Sequence, residues 1–237
     1  MPEHFSVGVE VGAEGYSAAW CFELPGCYAL VPPGADVVAR TKLAILEFMV
    51  WSHNRSADRI DLDHGAIEVV QTVTSGVPIR AGASSAFFAH DIEPPNGKEF
   101  PMWANAHDLA MDEFRAFAQD LPQGLLEMRL EGQAQTMLDV LVHTAKAERA
   151  FANQLVPGHS GEPKPGADGA LRFLGDTHAL LQQVVCDVPG AMRVRREAPN
   201  GEGGEDWSVR KAMRRSIQHL RYHAWALRRS ISGIWVE

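Results

Sequence analysis

Residues 208–234, SVRKAMRRSIQHLRYHAWALRRSISGI, read as one long amphipathic helix. Met213, Ile217, Leu220, Ala224, Leu227 and Ile231 recur at three- and four-residue steps and form an apolar stripe. Beside it runs a stripe of small and polar residues: Ser216, His219, His223, Ala226 and Ser230. Arg210, Lys211, Arg214, Arg215, Arg221, Arg228 and Arg229 cover the rest, the pattern of a solvated face. Asp206 or Ser208 caps the start, where a side-chain oxygen meets unpaired N–H groups and suits the helix dipole. His219 and His223 are four residues apart, so their imidazoles leave one face, one turn apart. Their small neighbours leave room for a ligand or solvent.

Three further helices are expected upstream. The first, 102–121, spaces Trp103, His107, Ala110, Phe114, Phe117 and Leu121 along one side, and Pro122 and Gly124 stop it. The second, 136–156, ends at Pro157-Gly158. The third, 167–188, carries Leu171, Leu174, His178, Leu181 and Val185 and ends at Pro189-Gly190. Amphipathic helices separated by breakers predict a four-helix bundle over 100–237. On the second helix His143 aligns with Val140, Ala147 and Phe151 and points inward. His143, His219 and His223 therefore form a candidate metal-ligand set. Imidazole suits Zn, Cu, Fe and Ni alike. With no fourth protein ligand evident, water takes the last position, the pattern of a catalytic site. His178 reads as a satisfied core histidine. His107 lines a cavity between helices and is the candidate general acid or base.

Leu141-Val142-His143-Thr144-Ala145-Lys146-Ala147-Glu148-Arg149 resembles the second helix of the DinB-like superfamily. Trp207-Ser208-Val209-Arg210, followed by Gln218-His219-Leu220-Arg221-Tyr222-His223, resembles its fourth. The resemblance covers 100–237. It implies a metal triad of one histidine in helix two and an H-x-x-x-H pair in helix four, which falls on His143, His219 and His223. That superfamily includes mycothiol- and bacillithiol-dependent transferases, so the resemblance also implies a low-molecular-weight thiol. Glu148 matches a commonly acidic position and reads as a solvated helix charge.

The N-terminal part reads as strands around one helix. Phe5, Val7, Val9 and Val11 alternate, the period of a half-buried strand, and 16–24 returns as a hairpin. A third strand is expected at 28–31, a helix at 35–53 with Val38, Thr41, Ile45, Phe48 and Met49 on one side, and a fourth strand at 66–73. Glu23-Leu24-Pro25-Gly26-Cys27, between a hairpin and a turn-plus-helix, resembles the HicB-like antitoxin fold over 5–75. Pro32-Pro33-Gly34 replaces the polar, acid-rich turn typical before that helix. No DNA-binding tail is evident, so a toxin-neutralising role is not implied. Cys27 reads as a small buried residue.

The chain is thus expected to be α+β with two domains, 1–75 and 100–237, joined by a linker over 76–99 that contains Gly76, Pro78, Gly82, Pro94, Pro95 and Gly97. Charge supports the cut: net −7 over 1–97 and −1 over 98–237, from a total of −8. The acidic balance argues against nucleic acid as a partner, and the arginines of the last helix lack an aromatic platform. No run of about 18 apolar residues occurs, so no membrane partner is expected. No signal peptide is read at the N-terminus. Cys21, Cys27 and Cys186 are few and odd in number, which points to a reducing cytoplasm. Residues 200–206, rich in glycine, read as a flexible loop and not a nucleotide fingerprint, since no strand precedes them. HExxH, GxxxxGK[ST], GxSxG and CxxC are absent. A ferritin-like di-iron site is excluded, because Phe151 follows Glu148 and Ala116 follows Glu113 at the third position.

Two functions are expected from these readings. One is a metal-dependent enzyme using Zn²⁺ or Ni²⁺ on a small-molecule substrate or thiol, by transfer, isomerisation or hydrolysis. The other is a non-catalytic metal-binding or ligand-sensing module. In both, the N-terminal sheet edges want a partner, and a homodimer is expected.

Overall fold

The computed structural model describes residues 4–53, 66–129, 135–197 and 204–234. It is α+β, with one four-stranded sheet, a two-stranded ribbon and six α-helices among those residues. The chain divides into two compact units: Met1–Pro94 with Ala191–Arg214, and Pro95–Gly190 with Arg215–Glu237. No helix among the described residues is long and apolar enough to cross a membrane.

The first unit is built on β1 (Phe5–Val11), β2 (Ser17–Cys21), β3 (Tyr28–Val31) and β4 (Ile67–Thr74), in spatial order β3-β2-β1-β4. β1 and β2 form the expected hairpin, with Gly8 opposite Trp20 and Glu10 opposite Ala18. β4 runs parallel to β1, so the chain crosses over through α1 (Val37–His53), which packs on β2, β3 and β4. Asp36 starts that helix by accepting from the N–H groups of Val38 and Ala39 at 2.9 and 3.1 Å. Thr41, Ile45, Phe48 and Met49 form its buried side. Residues 54–65 lie outside the described part.

The expected linker is corrected here. Up to Pro94 it belongs to the first unit, and it covers the second face of the sheet. Ile79 and Phe88 are completely buried and pack with Ala18, Trp20, Phe22 and Ala86. Burying side chains of this size contributes about 1.5–3 kcal/mol each. Two features of β1 make the docking site. Gly8 has no side chain, and a Cβ there would stand 2.6 Å from Phe22 Cζ and 2.7 Å from Phe88 Cε1. Glu10 is wholly buried and accepts from the Ser84 hydroxyl and from the N–H groups of Ser85 and Ala86, at 2.9 and 3.1 Å for the last two. A stretch rich in turn formers reads as a linker because turn chemistry says nothing about what its apolar residues touch.

The expected loop over 200–206 is also corrected. Gly204–Trp207 is a strand, β6, pairing antiparallel with β5 (Val194–Glu197); residues 198–203 lie outside the described part. After β6 comes the long helix α6 (Val209–Ile234). Ser208 caps it, accepting from the N–H of Lys211 at 3.2 Å.

The solvated-face reading of α6 fails over its first turns. Every residue from Trp207 to Gln218 is buried. Arg214 donates to both carboxylate oxygens of Asp91 (3.1 and 2.8 Å) and to the Ala86 carbonyl (2.9 Å), beneath the faces of Trp20 and Phe88. Asp91, fully buried, also accepts from the Phe88 N–H at 2.8 Å. Lys211 donates to the carbonyls of Ser85 and Asp206 and pairs with Glu205 at 2.8 Å. Burial pulls the Lys211 ammonium down to about 8, against the attraction of Glu205. Arg210 reaches the Glu93 carbonyl at 2.7 Å.

The second unit contains α2 (Glu99–Gln119), a short α3 (Gln123–Leu126), α4 (Met137–Leu155), α5 (Ala167–Asp187) and α6 from Arg215 onward. α4 starts with a reciprocal cap: Asp139 N–H donates to Thr136 Oγ1 at 3.0 Å, and Thr136 N–H to Asp139 Oδ2 at 2.8 Å. α4 packs on α5, and α5 on α2. Met213, Ile217, Leu220, Ala224 and Leu227 are buried, as the apolar stripe of α6 predicts.

Removing one partner of a buried, bidentate ion pair strands the other charge. Arg214→Ala is therefore expected to lower stability by about 3–5 kcal/mol, and Asp91→Ala by a similar amount. Arg228→Ala, which removes a surface pair with Glu113, is expected to cost less than about 1 kcal/mol. Chemical denaturation at neutral pH measures all three, and equal small losses would show that the Arg214–Asp91 pair has little weight.

Candidate metal centre

Two clusters of metal-ligating side chains occur among the described residues, both in the second unit. The first is the expected trio. α4 presents His143, and α6 presents His219 and His223 one turn apart. His143 Nε2 lies 3.1 Å from His219 Nε2, and His223 Nε2 lies 3.1 Å from the same atom. One candidate ligand atom from each ring lies within 4.8 Å of the others. His143 is exposed and the other two half-buried, so the cluster opens to solvent on the His143 side.

This contact suits an ion better than hydrogen bonds alone. A ring nitrogen carries either one N–H or one in-plane lone pair, so His219 Nε2 cannot make two good bonds to two other imidazoles. Ligand nitrogens about 2.0–2.1 Å from a tetrahedral ion sit roughly 3.3–3.4 Å apart, close to the separations seen here. Burial holds the imidazoles in the neutral, ligating form. It lowers the His143 value below the usual imidazole range, and it pulls His223 down to about 4 with help from His143. His219 falls well below the usual value through burial, then through His223, His143 and the Arg215 guanidinium.

The second cluster was only partly legible. His107 on α2, Glu148 on α4 and His178 on α5 are all buried, and they could hold a metal ion. His107 Nε2 is 2.8 Å from Glu148 Oε2 and 2.7 Å from the hydroxyl oxygen of Ser216 on α6. Ser216 in turn donates to Glu148 Oε1 at 2.6 Å. His178 Nε2 meets Asp108 Oδ1 at 2.9 Å, and its Nδ1 lies 4.0 Å from Glu148 Oε2. The two imidazole ring centroids lie 3.9 Å apart, with the ring planes tilted by 30°. Burial and the nearby His107 lower the His178 value, against hydrogen bonding to Asp108. Asp108 sits below the usual carboxylate range: partial burial raises it, but hydrogen bonds from His178 and Gln182 outweigh that.

Glu148 is thus not a solvated charge: it is fully buried and paired. The missed signal lay in its spacing. Leu141, Ala145, Glu148, Ala152 and Leu155 fall on one buried stripe of α4. His178 is a core histidine, as read, but only half satisfied. Its Nδ1, like that of His107, is buried with no hydrogen-bond partner among the described residues. Each such group costs about 1–3 kcal/mol. His107 contacts the second cluster, and no hydrogen bond from it to the trio is seen among the described residues.

No family model, curated protein or solved structure matches the chain.

The depressed histidine values make stability depend on pH in a definite direction. Between the unfolded value near 6.5 and the folded value of His223 near 4, the unfolded chain binds more protons than the folded one. The metal-free protein is expected to lose stability as pH falls from about 6.5 towards 4. His223→Gln is expected to flatten that decline. Chemical denaturation at pH 7.5, 6 and 4.5 measures it, and parallel curves for the two proteins would refute the assignment.

Proposed function

We propose that the chain is a metal-dependent enzyme of the DinB-like type, with His143, His219 and His223 as the ligands of one divalent transition ion. The observation that supports this is the meeting of three neutral-biased Nε2 atoms from α4 and α6 at the solvent-facing side of the cluster. Zn²⁺ or Ni²⁺ held there would acidify a bound water or thiol and favour its attack on an electrophile. The residues themselves supply three things. Burial keeps the imidazoles unprotonated, the fixed i,i+4 spacing on α6 sets two of them in register, and the exposure of His143 leaves one approach open. On this reading the substrate is a small electrophile, with water or a low-molecular-weight thiol as co-reactant, and the reaction is a transfer, isomerisation or hydrolysis. The HicB-like N-terminal part then serves as a docking or homodimerisation platform.

A second reading, metal binding or ligand sensing without turnover, draws on the burial of His107. A general acid or base must reach the reacting group, and His107 is enclosed by Glu148 and Ser216.

His219→Ala and His143→Ala are each expected to lower the affinity for the exposed-site ion at least tenfold. The bound ion is also expected to leave as pH falls below about 6, because protons compete for the same nitrogens. Elemental analysis after dialysis at pH 7.5 and 4.5 reads both effects. Unchanged metal in both variants would overturn the ligand assignment. If the metal is bound as expected, a screen of thiols with small electrophiles separates the enzyme from the sensor.

A further inference from the structure

We propose that His107, Glu148 and His178 form a second, enclosed site for a divalent transition ion, separate from the three-imidazole site. Two imidazoles and one carboxylate from three different helices make a ligand set found for zinc and for non-haem iron. All three are buried, away from bulk solvent. Each ring has one nitrogen engaged and the Nδ1 without a partner among the described residues. His178 Nδ1 stands on the Glu148 side, 4.0 Å from Oε2.

The outer contacts are those of a metal histidine. His178 turns its other nitrogen to Asp108, and Asp108 is steadied by the Gln182 amide at 2.7 Å. A carboxylate on the far nitrogen fixes the tautomer and ring orientation and leaves the near nitrogen as a lone pair for an ion. Ser216 does the same for the carboxylate, donating to Glu148 Oε1 and leaving Oε2 towards the rings. A buried histidine in a purely structural role would have both ring nitrogens partnered. Two half-satisfied histidines whose ligand atoms lie within 4.8 Å of each other and of one carboxylate oxygen are explained by a cation that those atoms share. Because all three ligands are buried, the ion is expected to exchange more slowly than one at the open trio.

The two sites separate by which variant loses which ion. Full-length protein from zinc-supplemented cells, dialysed against metal-free buffer, is expected to hold two zinc ions per chain. His219→Ala is expected to hold one, and His178→Gln also one, but the slowly exchanging one is lost only in His178→Gln. Asp108→Asn alters a side chain that is 57% exposed and is expected to keep the fold. It is expected to weaken the enclosed ion 10- to 100-fold and leave the open one unchanged, which a purely structural contact would not do. A single ion that His178→Gln removes and His219→Ala spares would support this site and overturn the open one. A single ion that His219→Ala removes, with Asp108→Asn unchanged in metal content and helicity, would overturn the enclosed site.

Discussion

A buried polar group must find a partner, and the first turns of α6 carry more buried polar groups than any other element described. Arg210, Lys211, Arg214, Arg215, Ser216 and Gln218 are all shielded from water. Desolvating that many charges is tolerable only if each meets an acceptor of matched position. In the first unit those acceptors are Asp91, Glu205 and the carbonyls of Ser85, Ala86, Glu93 and Asp206. The segment 84–93 supplies most of them, and it is itself pinned to the sheet by Glu10 and by the slot at Gly8. The covered sheet face and the buried arginine thus require each other.

The same rule applies to the second unit, with a different outcome. Ser216, the next polar group on α6, joins His107 and Glu148 in a network that satisfies most of its members and leaves two nitrogens open. One turn further on, His219 and His223 meet His143 where the helix reaches solvent. Along one helix the surroundings grade from charge pairs, through an enclosed histidine–carboxylate cluster, to an open imidazole cluster. The difference between the last two is access. An open cluster can exchange a ligand with solvent, which catalysis requires; an enclosed one cannot do so readily, which suits an ion that stays put.

The secondary structure was largely legible because it depends on local periodicity. The alternation of Phe5, Val7 and Val9 located β1, the Pro-Gly breakers closed α4 and α5, and the α6 stripe was buried as read. The pairing of His219 with His223 was also legible, since a helix brings i,i+4 residues together whatever surrounds it; His143 meets them, but from an exposed position on α4 and not the inward one expected. The errors share one cause. Arg214 and Glu148 were read as solvated because a charge on an amphipathic helix is usually on its wet side. The segment 76–99 was read as a linker because it is rich in glycine and proline, although up to Pro94 it belongs to the first unit.

What the sequence by itself determined was therefore the set of elements and the residues on each helical face, properties set by backbone geometry over one or two turns. Tertiary structure alone decided which faces meet. Helix α6 is enclosed all round from Val209 to Gln218, so it has no wet side to read. Asp91 stands 123 residues from Arg214, and His107 stands 41 from Glu148. No periodicity links such distant residues. They meet because a desolvated charge or imidazole has few low-energy surroundings, and the folded chain supplies one.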